Sequence, residues 1–241
     1  MKPFAVTSWD LTGEENMRRD LALVGTAKSQ PSVMRLYTWD PWCVSLGYNQ
    51  NGNVIDDRLL REQGWHLVRR PTGGRAVLHA EELTYCIAVP QGEGVKPREV
   101  YERIHRQLLA ALQTLVPGLS FEESPSDLRH HYATSGASAA SCFTSSARTE
   151  IMFEGKKVVG SAQRTIDGVI LQHGSILTGA AHTNIVDVLA ATPTERETVL
   201  ADIRKSAVSL SEIAGRTIMA EEVARCIIDS MSDLLIADNV T

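Results

Sequence analysis

A cysteine and a lysine 15 residues apart offer this 241-residue chain its most direct chemistry: Cys142 in ATSGASAASCFTSSA and Lys157 in EGKKVV. A free thiol with a pKa of ~8.5 is only a few per cent thiolate at neutral pH, so a nucleophilic cysteine needs a cation beside it. Each unit of lowering is worth about 1.4 kcal/mol. Spacing alone does not bring the two together. No core pattern explains Cys142, yet a Ser-rich loop can carry an incidental cysteine, and Lys156 and Lys157 by themselves read as a solvated hairpin tip. Cys43, Cys86 and Cys226 fall on apolar runs and read as small buried hydrophobes. There is no CxxC pair and no Cys/His spacing of a zinc site, and a disulfide framework is not expected.

The second group is the run RRPTGGRAVLH, residues 69–79, which places Arg70, Gly73, Gly74, Arg75 and His79 between two apolar segments. Glycines free backbone N–H groups to hold a carbonyl or an oxyanion. The arginines suggest an anionic or carbonyl-rich partner, and His79 can donate or accept at the rim. A glycine pair is also ordinary turn chemistry, so a plain hairpin connection stays open. The run matches neither the phosphate loop GxxxxGK[ST] nor the dinucleotide fingerprint GxGxxG. His173, in LQHGSIL, reads either as a hydrogen-bonded core histidine or as a site residue. Trp39 and Trp42 are read as core packing.

These residues need a scaffold, and the composition provides for one. Hydrophobic residues at 43% and charged residues at 22% are ordinary for a globular chain. The expectation is a single domain over 1–241, with 184–241 as a C-terminal helical part. The longest apolar stretches, such as LLAAL (108–112), fall far short of the ~20 residues that cross a bilayer. The N-terminus MKPFAVTSWD lacks an apolar signal core, so a cytoplasmic protein without membrane contact is expected. A net charge of −5 and 5% aromatics argue against nucleic acid as a partner.

Along the chain, Thr12 and Glu15 form a capping-box signal for a helix over 13–28. Strands are expected at 33–39 and 42–48 around an Asp-Pro turn, at 65–70, at 83–90 and at 168–178. A helix begins at Pro97, and Glu154-Gly155 marks a hairpin turn. The remainder reads as helical. The order implies an α+β fold, a mostly antiparallel mixed sheet with helices packed against it on one side.

Seven segments, NMRRD (16–20), VSLGYNQN (44–51), RRPTGGRAVLH (69–79), ELTY (82–85), SCF (141–143), EGKKVVGSAQ (154–163) and ILQHGSIL (170–177), occur in this order. Together they resemble the biotin/lipoate protein ligase superfamily. Within it they are most similar to octanoyltransferases that act on the glycine cleavage H protein in lipoate synthesis. The resemblance covers about residues 10–180 and fades in the C-terminal helices. It implies the catalytic-domain fold of that superfamily and transfer of an octanoyl group from octanoyl-acyl carrier protein onto a cysteine and then onto a lysine of a lipoyl-carrier domain.

Residue by residue, the resemblance makes Cys142 the thioester nucleophile and Lys157 the lysine that lowers its pKa. It makes 69–79 the loop over the acyl and carbonyl pocket, with Gly160, Ser161, Ala162, His173 and Gly174 as the facing wall. It implies no cofactor, no metal and a monomer. Two positions depart from the pattern: Ala80 stands where the family usually has an aspartate, and CFTSSA lacks the acidic residue that commonly follows the cysteine. An ATP-dependent lipoate–protein ligase shares the fold and the lysine. An amidotransferase between carrier domains shares the cysteine chemistry, and a non-catalytic acyl- or carrier-binding module would tolerate loss of Cys142. All three stay open beside the transferase reading.

Overall fold

The computed structural model describes residues 4–29, 32–122 and 150–230. Strands β1 Phe4–Leu11, β2 Val33–Trp39, β6 Glu82–Pro90, β7 Ser120–Glu122, β8 Glu150–Phe153, β9 Lys156–Ile166 and β10 Val169–Leu177 form one seven-stranded sheet, in the order β1-β2-β6-β10-β9-β8-β7. Only its first pair, β1 with β2, is parallel; the other pairs are antiparallel. Strands β3 Cys43–Leu46, β4 His66–Arg69 and β5 Val77–His79 form a second, three-stranded sheet in the order β4-β3-β5. The expected antiparallel-dominated mixed sheet is therefore present. The strands at 33–39 and 43–46, adjacent in sequence around a cis Asp40–Pro41 bond, belong to different sheets.

Helices cover both faces of the large sheet, not one. Strand β2 is buried at six of its seven positions and β6 at its first seven, and strands apolar on both faces must be covered on both. On one face Leu36, Leu83, Tyr85 and Ile176 pack against α3 (Pro97–Gln113) and α6 (Ala220–Ser230) through Ile104, Leu108, Val223 and Ile227. On the other, Tyr37, Trp39, Cys86 and Leu171 meet Met17, Leu23 and Val24 of α1 (Gly13–Ala27). Helix α1 starts where the capping signal places it: the Thr12 hydroxyl accepts from the Glu15 amide. The small sheet closes a separate core with the 3₁₀ segment Ala180–Val188 and helix α4 (Pro193–Ser206), through Val44, Leu78, Ile185, Val199 and Ile203.

Between β4 and β5 runs the loop of residues 70–76, and two arginines hold its shape. Arg70, nearly fully buried, donates to the carbonyls of Ser45, Gly73 and Arg75 at 2.7–3.2 Å. Arg69 donates to the carbonyls of Gly47, Tyr48 and Gln50. The Tyr48 amide donates to the Thr72 carbonyl at 2.8 Å. Gly74 has φ +99°, and a β-carbon at Gly47 would overlap the Gly74 carbonyl oxygen. The glycines here permit one backbone to lie against another.

Gly47→Ala is therefore expected to lift the 70–76 loop while leaving both sheets folded. The loss should be about 1–3 kcal/mol by denaturant titration, with new protease cleavage in that loop. An unchanged cleavage pattern would overturn the close-approach argument.

Candidate functional site

Where the α1 face of the large sheet meets the small sheet, the packing leaves a cavity of about 370 Å³, its open mouth included. Its wall contains Arg70, His79, Gly160, Ser161, Ala162, His173 and Gly174, seven of the residues singled out by sequence. Gly73, Gly74 and Arg75 belong to the loop beside it and are not part of that wall. Lys157 lies three residues before Gly160 on β9. Cys142 falls outside the described residues.

The wall also contains residues that the sequence reading left out, among them Met17, Tyr37, Trp39, Ser45, Thr84 and Ser175. Trp39, read as core packing, stacks on His79 with ring centroids 4.0 Å apart and planes 11° from parallel. The alternation of β2, β6 and β10 held the signal: positions 37, 39, 84, 173 and 175 all face away from the apolar α3 side. His79 is buried rather than at a rim. Its Nδ1 lies 2.7 Å from a Glu82 oxygen, which also accepts from the hydroxyls of Thr84 and Ser175, and its Nε2 lies 2.8 Å from the Ser45 hydroxyl.

His173 belongs to a second buried chain. Its Nδ1 faces Asp20 at 3.4 Å, and its Nε2 meets the Thr72 hydroxyl of the loop. A carboxylate can only accept, so Nδ1 carries the hydrogen and Nε2 accepts from Thr72. Asp20 also receives Arg35 at 2.9 Å and Tyr37 at 2.7 Å. Burial pushes the His173 pKa below its ordinary value, against an opposing pull from Asp20. Burial, reinforced by Asp20, pushes the Tyr37 hydroxyl well up. Asp20, Cys86 and His173 lie close enough to suggest a metal site. The Asp20 oxygens are already engaged, the Arg35 guanidinium repels a cation, and burial raises the Cys86 thiol far above its usual range. That donor set does not fit a metal.

At the floor, Gly174 faces Tyr85 on one side and Ser161 on the other. A β-carbon there would lie 2.6 Å from the Gly160 carbonyl oxygen and 2.7 Å from the Tyr85 ring. Beneath it the Ser161 hydroxyl bonds Tyr85 at 2.6 Å and His105 of α3 at 2.9 Å.

Lys157 is not at a solvated tip: the turn is Glu154-Gly155, and the Lys157 side chain is 4% exposed. Its Nζ lies 2.8 Å from Glu150 Oε1, on a side chain as deeply buried. Glu150 is a partner that sequence spacing did not supply.

Two outcomes follow from these burials. Lys157→Met removes the cation that faces the buried Glu150 carboxylate and should cost about 3–5 kcal/mol in urea titrations; adding Glu150→Gln should recover most of that loss. A double variant no more stable than the single would overturn the pairing. His173 is neutral when folded and free to charge when unfolded, so the unfolded chain binds more protons as the pH falls below about 6.5, the ordinary value. Stability should therefore drop from pH ~7.5 to ~5.5 in wild type and less steeply in His173→Asn. His182, also pushed down by burial, supplies the residual slope.

The chain was compared with known proteins. The model of the lipoyl protein ligase A/B catalytic domain matches residues 12–232. The octanoyltransferase LipM of Kyrpidia tusciae is 38% identical over 211 residues, covering 85% of this chain and 76% of that one. That of Bacillus subtilis is 34% identical over 219 residues, covering 87% and 78%. Among solved structures, the bipartite lipoate protein ligase of Thermoplasma acidophilum superposes with a TM-score of 0.73 at 19% identity, covering 98% of this chain and 84% of that one. A lipoate-protein ligase A bound with ATP gives 0.72 at 21%, covering 98% and 86%. At those identities the structural likeness speaks for the fold alone. With a matched span running from the cap of α1 to the end of the helices, and relatives above 30% identity over most of both chains, this chain belongs to the lipoyl protein ligase A/B catalytic domain family.

Proposed function

We propose that the chain is an octanoyltransferase of lipoate biosynthesis. It takes an octanoyl group from octanoyl-acyl carrier protein onto Cys142 as a thioester and passes it to a lysine of the glycine cleavage H protein or another lipoyl-carrier domain. The observation that carries this reading is the agreement of relatives 33–39% identical to the chain, each an octanoyltransferase LipM. The sequence adds a cysteine where the transferases of the family have theirs.

The chemistry suits the site. A thioester is already activated, so its transfer needs a nucleophile, a site for the developing oxyanion and a dry pocket, but no ATP. Burying the tail supplies ~0.8 kcal/mol per CH₂, about 5 kcal/mol for six. In this reading the 70–76 loop closes over the acyl group, and Gly160, Ser161, Ala162, His173 and Gly174 form the opposite wall. Lys157 favours the thiolate of Cys142, and Glu150 moderates the effect, because a lysine paired with a carboxylate presents less net charge to a third group.

Intact-mass analysis after mixing with octanoyl-acyl carrier protein, without ATP, tests this. Wild type should gain one octanoyl group, about 126 Da, discharged by H protein, and Cys142→Ala should gain nothing. If H protein becomes octanoylated only with ATP and free acid, the chain is a ligase. If lipoylated carrier serves as donor in place of the acyl carrier protein, it is an amidotransferase.

A further inference from the structure

Resting on that reading, the second half of the reaction poses a problem that Lys157 does not solve. An acceptor lysine arrives as an ammonium ion, which has no lone pair with which to attack a thioester. A base must take one proton first. Lys157 already stands against the Glu150 carboxylate, with Nζ 2.8 Å from Oε1.

The cavity wall holds a different candidate. Arg70 Nη1 donates to the Ser45 hydroxyl oxygen at 3.1 Å. That hydroxyl lies 2.8 Å from His79 Nε2, and His79 Nδ1 lies 2.7 Å from Glu82. Directions follow from the two ends. A guanidinium can only donate and a carboxylate can only accept, so in the neutral ring Nδ1 carries the hydrogen toward Glu82 and Nε2 receives the Ser45 hydrogen. The indole of Trp39 fixes the imidazole plane, and its own N–H is tied to Thr84 at 2.7 Å. Glu82 Oε1 also accepts from the Thr84 and Ser175 hydroxyls, and its other oxygen has no hydrogen-bond partner among the described residues. Ser45 and His79 both line the acyl cavity.

An approach for a cation adjoins it. Trp39 of the cavity, and Glu82 behind it, also line a wide groove at the end of the large sheet. Among the described residues, that groove is lined by Asp10, Asp40, Glu81, Glu212 and Glu221 and by no lysine or arginine.

We propose that Ser45, His79 and Glu82 form the proton-accepting relay for the acceptor lysine, with Glu82 as its positioning residue. As the ammonium gives a proton to the Ser45 oxygen, the Ser45 hydrogen passes to His79 Nε2, and Glu82 stabilises the imidazolium. The neutral amine attacks the thioester carbonyl carbon: the C–N bond forms, the C–S bond breaks, and the nitrogen's second proton leaves with the Cys142 sulfur as a thiol. His79 then returns its proton through Ser45 to solvent.

The test has two arms. In the first, ¹⁵N-histidine NMR of the intact protein, with the His79 signals assigned by their loss in His79→Gln, should show a neutral ring protonated at Nδ1 near pH 7. A ring protonated at Nε2, or at both nitrogens, overturns the relay. In the second, rapid-quench measurements separate loading of Cys142 from discharge to H protein. Glu82→Gln, whose amide oxygen can still accept from Nδ1, and Ser45→Ala should each load within threefold of wild type but discharge on the order of 10²-fold more slowly. Equal slowing of both steps reduces these residues to a structural role, and unchanged discharge removes the base. A wild type that loads no acyl group overturns the octanoyltransferase reading and the base assignment with it, while the NMR arm still decides the hydrogen-bond directions.

Discussion

Asp20 is a carboxylate with no access to water, and the site is organised around it. It sits on α1, yet its partners come from elsewhere: Arg35 and Tyr37 on β2 and His173 on β10. Through His173 and Thr72 the same chain of hydrogen bonds reaches the loop over the cavity. Arg35 also takes the backbone and side-chain oxygens of Asn16, one turn earlier on α1. A buried ion pair of this kind is weak evidence for stability, since well-packed apolar residues could replace it at no loss. What it does fix is rotation and register. Asp20 can satisfy its oxygens only if α1 presents one stripe to the sheet, and that stripe places Met17 in the cavity wall.

The loop shows the same economy in another form. Its arginines suggest an anionic or carbonyl-rich partner; in the fold, Arg69 and Arg70 address carbonyls, and those carbonyls belong to their own chain. Seven residues without regular structure carry carbonyls that the buried side of the loop cannot offer to water, and unpaired ones would each forfeit about 1–3 kcal/mol. A guanidinium has five donors in a planar fork, which is why Arg70 serves three carbonyls and the Ser45 hydroxyl at once where a lysine could not. Arg164 adds a further donor to the Pro71 carbonyl while stacking on the Tyr48 ring. The cavity's roof is thus made of backbone held from behind.

Much of this was legible before any coordinates. The 3.6-residue pattern and the Thr12 cap gave α1 to within a residue, and β2 and β10 stood out as apolar runs bounded by turns. The motifs around Gly160 and His173 named the cavity wall. What sequence did not carry was pairing at long range. Strand β1 escaped notice because an edge strand buries one face at most, and Ser8 is its one fully buried position among those described. The second sheet escaped because strands at 33–39 and 43–46 look like a hairpin when only their spacing is seen. Glu82 and Glu150 escaped because a buried carboxylate has no periodic signature: Glu82 meets His79 three residues away and the Ser175 hydroxyl 93 residues away, and Glu150 meets Lys157 across a hairpin.

The same alternation that builds the core builds the site, and this constrains both. Along β2, β6 and β10, Leu36, Leu83, Tyr85 and Ile176 point to the apolar core under α3, while Tyr37, Thr84, His173 and Ser175 point into the cavity. Neighbouring residues on one strand therefore belong to different tasks, and a slip of one residue in any pairing would exchange them, putting His173 and Thr84 into a dry apolar layer and Tyr85 and Ile176 into the site. Register is fixed twice over, by hydrophobic burial on one face and by hydrogen-bond satisfaction on the other. Gly174 is where the two faces meet: its backbone lines the cavity, while a β-carbon there would fall against the Ser161 hydroxyl and the Tyr85 ring, on the core side where the Ser161, Tyr85 and His105 bonds lie. A change in the floor of this cavity is for that reason also a change in how α3 packs, and the pocket's dimensions are set by the core as much as by the residues that line it.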